Sequence, residues 1–309
     1  MADSKLHRGM LVLHPNKPGW GPGKIVKLGL GVAHVFWRDL PERAAKPIRL
    51  DYVELIPAAD QHDDILSNLP PFVEEDGRLV LPGIASGRLR VTVKQAIEKL
   101  LEHYPLGFQD PAYYGDQKGG ERAYKLAAHQ KFSELLGGRK FRDLLDTSPE
   151  LVIHHLKECL KDLNLLFPNE QMALFDAYKD FDRTLPFLRS LCELLEAEGA
   201  DETSYSKYLE GFESLPVIKG RVHTWPVATI YPYIAQPEIH IFLKPKVTQC
   251  AAEILGFNLH YKSNPNWQTY SSLLTMAETY RKQLAALKPK DMIDMQSFFW
   301  ITCGGYDED

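Results

Sequence analysis

The sequence predicts an α+β protein: a small N-terminal β-barrel, then a mainly α-helical domain carrying a short extended or β insertion. Three observations predict it. Short runs of Val, Ile, Leu and aromatic residues, each ended by Gly or Pro, fill the first 57 residues. From Thr92 onward the apolar residues recur at helical spacing. Between His223 and Pro245 that spacing breaks into an aromatic, β-branched, proline-spaced stretch.

The chain has 309 residues, 44% of them apolar and 25% charged, as in an ordinary globular protein. That length suits one large domain or two ordinary ones. We divide it into a barrel over 1–57, a partly docked linker over 58–90 and a helical domain over 91–309. No run of about 18 apolar residues is present, so no membrane span is expected. The start "MADSKLHRG" lacks an apolar signal region, so a cytoplasmic location is expected. Cys159, Cys192, Cys250 and Cys303 form no CxxC pair and read as four reduced, buried thiols.

The barrel strands are read from "MLVL", "KIVKLG", "GVAHVFW" and "KPIRLDYVELI". Closing such short strands into a barrel removes exposed edges. The turn "HPNKPGWGPGK" needs chain reversal in little space. Gly19, Gly21 and Gly23 allow positive φ, and Pro15, Pro18 and Pro22 stiffen the turn. Trp20 is then expected to cover one mouth of the barrel.

Charge is uneven. Residues 1–57 hold nine Lys/Arg against five Asp/Glu, a net +4, leaving −9 for the remainder. A basic head on an acidic body suits an anionic partner for the head. The candidate binding residues there are Lys17, Trp20, Lys24, Lys27, Trp37, Arg38 and Arg43, with Lys46 and Arg49 beside them. Cations would meet phosphates and a tryptophan would offer a stacking face. The alternative is a solvated basic surface with buried tryptophans, and His14 reads as a turn residue.

The stretch "RGMLVLHPNKPGWGPGKIVKL…VAHVFW" resembles a short bacterial domain family of unknown function with a Tudor/SH3-like fold. The resemblance rests on Gly9, Val12, His14, Pro15, Pro18, Trp20, Gly21, Gly23, Val35 and Phe36. It covers about a sixth of the chain. That family is similar to the Tudor-like C-terminal domain of UvrD/PcrA helicases and, more loosely, to CarD-type regulators. The resemblance implies docking to RNA polymerase, a helicase or repair complex, or another protein, sometimes beside nucleic acid. It implies no catalysis and no cofactor. The segment "RDLPERAAKP" departs from the family pattern by its length and charge.

In the body, Thr92 and Gln95 have capping-box spacing. "GGERAYKLAAHQKFSELLGG" is the clearest helix. "SPELVIHHLKECLKDL" opens with a Ser-Pro start. Further helices are expected near 168–181, 183–198 and 201–213, then over "KVTQCAAEIL", "NWQTYSSLLTMAETYRKQLAAL" and "KPKDMIDMQSFFWI". The stretch "HTWPVATIYPYIAQPEIHIFLKP" is expected to form two short strands. The tail "GGYDED" is expected to fray.

Four groups of body residues carry chemistry. Arg122, Lys125 and His129 follow a Gly-Gly pair and share a helix face near its positive end, which suits an anion. The P-loop pattern is absent. The alternative is a solvated basic face. Adjacent His154 and His155 point about 100° apart on a helix and do not form one metal site. On a strand, Glu238, His240 and Lys244 would share one face, as in nuclease-like sites, although the usual E-x-K step is missing. Asp291 and Asp294 open the last helix beside Ser297. They suit the helix dipole, and two carboxylates alone give little support for a cation site. No metal site or cofactor is therefore expected.

Three readings follow. The first is a non-enzymatic adapter docking through its barrel. The second is a nucleic-acid-processing or defence enzyme using Glu238, His240, Lys244 and Asp294. The third is a direct DNA-binding protein.

Overall fold

The computed structural model describes residues 6–58, 62–82, 90–115 and 120–305. The Gly-rich part of the expected linker, the residues just before the Gly119-Gly120 helix start and the end of the acidic tail lie outside the described residues. The order is an N-terminal antiparallel sheet followed by helices, as expected.

In chain order the first elements are β1 (Leu11–Leu13), β2 (Gly23–Gly29), β3 (Val32–Trp37), β4 (Lys46–Arg49), β5 (Ile56–Pro57), α1 (Asp64–Ser67), β6 (Val73–Glu75) and β7 (Arg78–Val80). α2 (Val93–His103) follows. Then come α3 (Ala123–Leu136), α4 (Lys140–Thr147), α5 (Pro149–Leu160), α6 (Pro168–Ala177), α7 (Phe181–Glu196) and α8 (Glu202–Glu213). The last four are α9 (Trp225–Ala235), α10 (Pro245–Leu255), α11 (Trp267–Gln283) and α12 (Met292–Thr302).

The chain divides into two compact units: residues 1–99 with 250–258, and residues 100–249 with 259–309. In the first unit, five antiparallel strands run in the order β4-β3-β2-β1-β5. One face buries Val12, Ile25, Val35 and Trp37. The other buries Val26, Phe36, Ala45, Leu66 and Leu81, with Phe72 and Leu79 packed on them. The sheet is therefore covered on both sides, and Phe72 docks edge-on to Phe36 at 5.4 Å. This explains the charged segment "RDLPERAAKP". Ala45 donates to Leu79 at 2.8 Å, Leu81 donates to Arg43 at 2.9 Å, and Ala44 bridges Val80. The segment is the seat on which β6–β7 rests.

The glycine turn works differently from the expectation. Of Gly19, Gly21 and Gly23, only Gly21 has positive φ, at 65°. Gly23 is needed for space. A Cβ there would lie 2.5 Å from Val35 Cγ1 and 2.6 Å from Trp37 Cε3.

In the second unit, local signals place the helix starts. Asn266 accepts the Thr269 amide at 2.9 Å, and Asp291 accepts the Ile293 amide at 3.0 Å. The Thr92–Gln95 capping box, in the first unit, forms in both directions. One expectation fails. "HTWPVATIYPY" is not a strand but α9. Every residue from Trp225 to Ile234 is buried, so no polar face marks a helical period. Pro226 sits in the first turn, where its missing N–H costs nothing. The following residues 236–244 are irregular, so the extended β insertion is absent.

Cys159 and Cys192 are free and buried as expected. Cys250 and Cys303 are not free thiols, a correction to the reading of four reduced cysteines. The lack of a CxxC pair leaves open the oxidation of cysteines far apart in the chain, which depends on how the fold places them.

Candidate functional site

In the first unit, the turn after β1 and the end of β3 bring three aromatic rings together. His14 lies 5.0 Å from Trp20, and Trp20 lies 5.4 Å from Trp37. Trp37 is only 2% exposed, so it is a core residue without a free stacking face. Trp20 is half-buried, and Lys46 Nζ sits 5.6 Å from its ring.

Most of the candidate cations serve the fold. Lys24 Nζ donates to the Leu66 carbonyl at 2.7 Å, and burial pulls its ammonium below the ordinary value. Arg38 bridges Asp39 and the buried Asp63, both pairs being 2.8–2.9 Å long. Arg43 donates to the Leu81 carbonyl and pairs with Glu75 at 3.3 Å. Lys17 and Lys27 are exposed.

The exposed feature of this unit is apolar. Leu30, in the β2–β3 turn, is 105% exposed relative to an extended reference. Leu28 and Tyr52 are also exposed. The backbone places them at one end of the sheet. Leu28 pairs with Ala33, which pairs with Ile48. Leu50 donates to the Gly31 carbonyl at 2.9 Å, and Tyr52 follows in the next turn. Arg49 lies over the Tyr52 ring at 4.5 Å. Lys27 and Arg49 thus flank an apolar tip.

In the second unit, Arg122 and Lys125 are neither a solvated face nor an open anion site. Both are buried and matched by carboxylates. Arg122 donates to Asp291 at 2.8 Å and to Asp294 at 2.6 Å. Tyr113 donates to the same Asp294 oxygen at 2.7 Å. Lys290 gives its backbone amide to the other oxygen at 2.6 Å. Lys125 pairs with Glu121 at 2.8 Å and donates to Ser297 at 2.9 Å. Burial works against the Arg122 charge, but the Asp291 hydrogen bond and both aspartates outweigh it and hold the guanidinium above its ordinary value. Burial pushes the Asp294 carboxyl up, against the pull of the Lys290 amide, Arg122 and Tyr113. His129 stands apart from this network, with Nδ1 2.8 Å from the Ile234 carbonyl.

The candidate catalytic residues are given different surroundings. Glu238 is exposed. His240 is fully buried, its Nδ1 3.0 Å from the Tyr270 hydroxyl, and burial lowers its pKa to about 4. Lys244 lies over the rings of Phe167 and Trp300, at 4.8 and 5.7 Å. Asp294 belongs to the Arg122 network. The shared strand face that would align Glu238, His240 and Lys244 does not exist, because this stretch is irregular.

Sequence reasoning missed Leu30, Tyr52 and Tyr113. A leucine between two glycines in "GLG" was the available signal for Leu30, since apolar side chains are uncommon at a hairpin tip. Nothing local marks Tyr113 as a partner of Asp294, which is 181 positions away. Among the described residues, no three His, Cys, Asp or Glu side chains are grouped to hold a metal. No helix among them is long and apolar enough to cross a membrane. No protein-family model, curated protein or solved structure matches the chain.

Proposed function

We propose that this protein is a non-enzymatic adapter whose N-terminal unit, read as a Tudor/SH3-like barrel, docks on a protein of the transcription or DNA-repair machinery in the bacterial cytoplasm. The observation that carries this reading is the apolar tip of Leu28, Leu30 and Tyr52, flanked by Lys27 and Arg49. An exposed aromatic beside an arginine is the composition of an interface anchor. A protein partner suits this tip better than DNA does, because Lys24, Arg38 and Arg43 are engaged within the unit. The resemblance of "HPNKPGWGPG" to a Tudor-like family supplies the class of partner.

The test is affinity purification of the full chain from its native cells, with nuclease added, followed by mass spectrometry. Wild type is compared with Leu30→Asp and Tyr52→Asp. Polymerase, helicase or repair subunits retained by wild type and lost with either variant support the adapter. Binding that disappears with nuclease, together with a steep salt dependence on duplex DNA, supports direct DNA binding instead.

A further inference from the structure

The sheet of the N-terminal unit is covered unevenly. On the face that carries Phe36, the residues Ala45, Leu66, Leu81 and Phe72 pack around Phe36 and Val26. The strand register fixes what lies farther along that face. Side chains alternate between faces along a strand, so Val32 and His34 stand on the same side as Phe36. Lys27 pairs with His34, and His34 with Pro47. Gly29 pairs with Val32, and Val32 with Arg49. Cross-strand partners share a face, so these six residues form two adjoining rows across β2, β3 and β4. Lys27, Gly29, Pro47 and Arg49 are exposed, and Val32 and His34 are half-buried. None of the six belongs to either core cluster of this unit.

The charge at this bare end is mainly positive. Lys27 has no ion pair among the described residues. Arg49 is held by Asp51 at 2.8 Å, but both side chains are more than half exposed, at 64% and 53%. Such a pair is weak. Asp51 takes Nε and one terminal nitrogen of Arg49, so the other terminal nitrogen keeps its donors for a second carboxylate. Arg8, exposed and also without an ion pair among the described residues, enters nearby, since its neighbour Gly9 donates to the carbonyl of Ile25 at 2.7 Å.

We propose, resting on the adapter reading, that this bare face receives an acidic segment of the partner protein. Its carboxylates pair with Lys27 and Arg49, and its apolar side chains lie on Val32 and Pro47. The segment meets side chains and not the strand edge. β4 is an edge strand. Leu50 donates inward to Gly31, so alternation turns the Pro47 position outward, where proline has no N–H for an added strand. Nucleic acid suits the face less. A phosphate backbone is bound by many cations along its path, whereas Val32, Gly29 and Pro47 lie among the few cations here. Lys24, Arg38 and Arg43 are engaged within the unit.

The experiment titrates the full-length protein with three synthetic peptides that alternate Leu with Glu, Gln or Lys, and with duplex DNA. Calorimetry gives affinity, and NMR of Lys27, Val32 and His34 gives location. The Glu peptide is expected to bind about tenfold or more tightly than the Gln peptide, the margin of a charge-assisted hydrogen bond, and the Lys peptide not at all. Lys27→Glu and Arg49→Glu are each expected to weaken the Glu peptide about tenfold and leave the Gln peptide unchanged. Both sites are exposed, so the variants keep the fold, and circular dichroism checks this. Equal affinity for the Glu and Gln peptides, tighter binding of DNA, shifts away from this face or unaffected variants would each overturn the proposal. A second measurement separates it from the adapter reading. During native purification with nuclease, a carbodiimide condenses touching amines and carboxylates to amides. Lys27 is expected to be joined to an Asp or Glu of a captured polymerase, helicase or repair subunit. Capture that survives Lys27→Glu and Arg49→Glu but not Leu30→Asp overturns the acidic segment and leaves the adapter standing. No such capture by wild type overturns both.

Discussion

The Tyr208 hydroxyl donates to the backbone carbonyl of Ala228 at 2.8 Å. Four residues further along α9 stands Pro232, which has no N–H to give that carbonyl. A side chain from α8 thus replaces the missing helical bond inside a helix with no solvent-facing side. The pair explains how "PVATIYPY" is helical despite its proline.

Tyr208→Phe is expected to cost about 1–3 kcal/mol, because it leaves a buried carbonyl without a donor. Pro232→Ala returns an N–H to that carbonyl. The cost of Tyr208→Phe should therefore shrink in the Pro232→Ala background. Urea unfolding of the four proteins of this double-mutant cycle measures the coupling. Equal costs in both backgrounds would show that the hydroxyl is not the substitute donor.

Arg122→Met is expected to destabilise the protein by about 3–5 kcal/mol, since it strands the buried carboxylate of Asp294 and the partly buried one of Asp291. Lys94→Met, at an exposed site, serves as the control and should move stability by less than about 0.5 kcal/mol. Chemical denaturation distinguishes the two.

His240 predicts a pH dependence. Its folded pKa is lowered from 6.5 to about 4 by burial. The ring's Nδ1 lies 3.0 Å from the Tyr270 hydroxyl, which accepts the Ile241 amide, and burial holds the ring neutral. Between these two values the unfolded chain binds the extra proton. Stability is therefore full above about pH 6.5 and falls as pH drops toward 4. The loss attributable to this group is roughly 3 kcal/mol. Thermal unfolding of wild type and His240→Gln at a series of pH values measures it. The variant should be flatter across this window, and a parallel pair of curves would remove His240 as the cause.

Gly23→Ala is expected to cost about 1–3 kcal/mol through overpacking against Val35 and Trp37. Trp37 fluorescence should change with it. Leu30→Asp, fully exposed, should leave stability within about 0.5 kcal/mol. That contrast separates a residue needed for folding from one available for docking.

By itself the sequence determined what local chemistry decides. The strand–turn rhythm of 10–57, the Thr92–Gln95 box, the caps at Asn266 and Asp291 and most of the helices were legible, because caps, turns and periodicity act over three or four residues. Only the tertiary structure decided the rest. Complete burial erases the helical period, so α9 reads as strand until its neighbours are in place. Arg122 reads as part of a basic face because its partners Asp291 and Asp294 lie 169–172 positions away, whereas the Glu121 partner of Lys125 is only four positions away and was open to an i,i+4 reading. Burial converts both charges from surface features into internal pairs, and that burial is set by packing against α12, which local spacing does not encode.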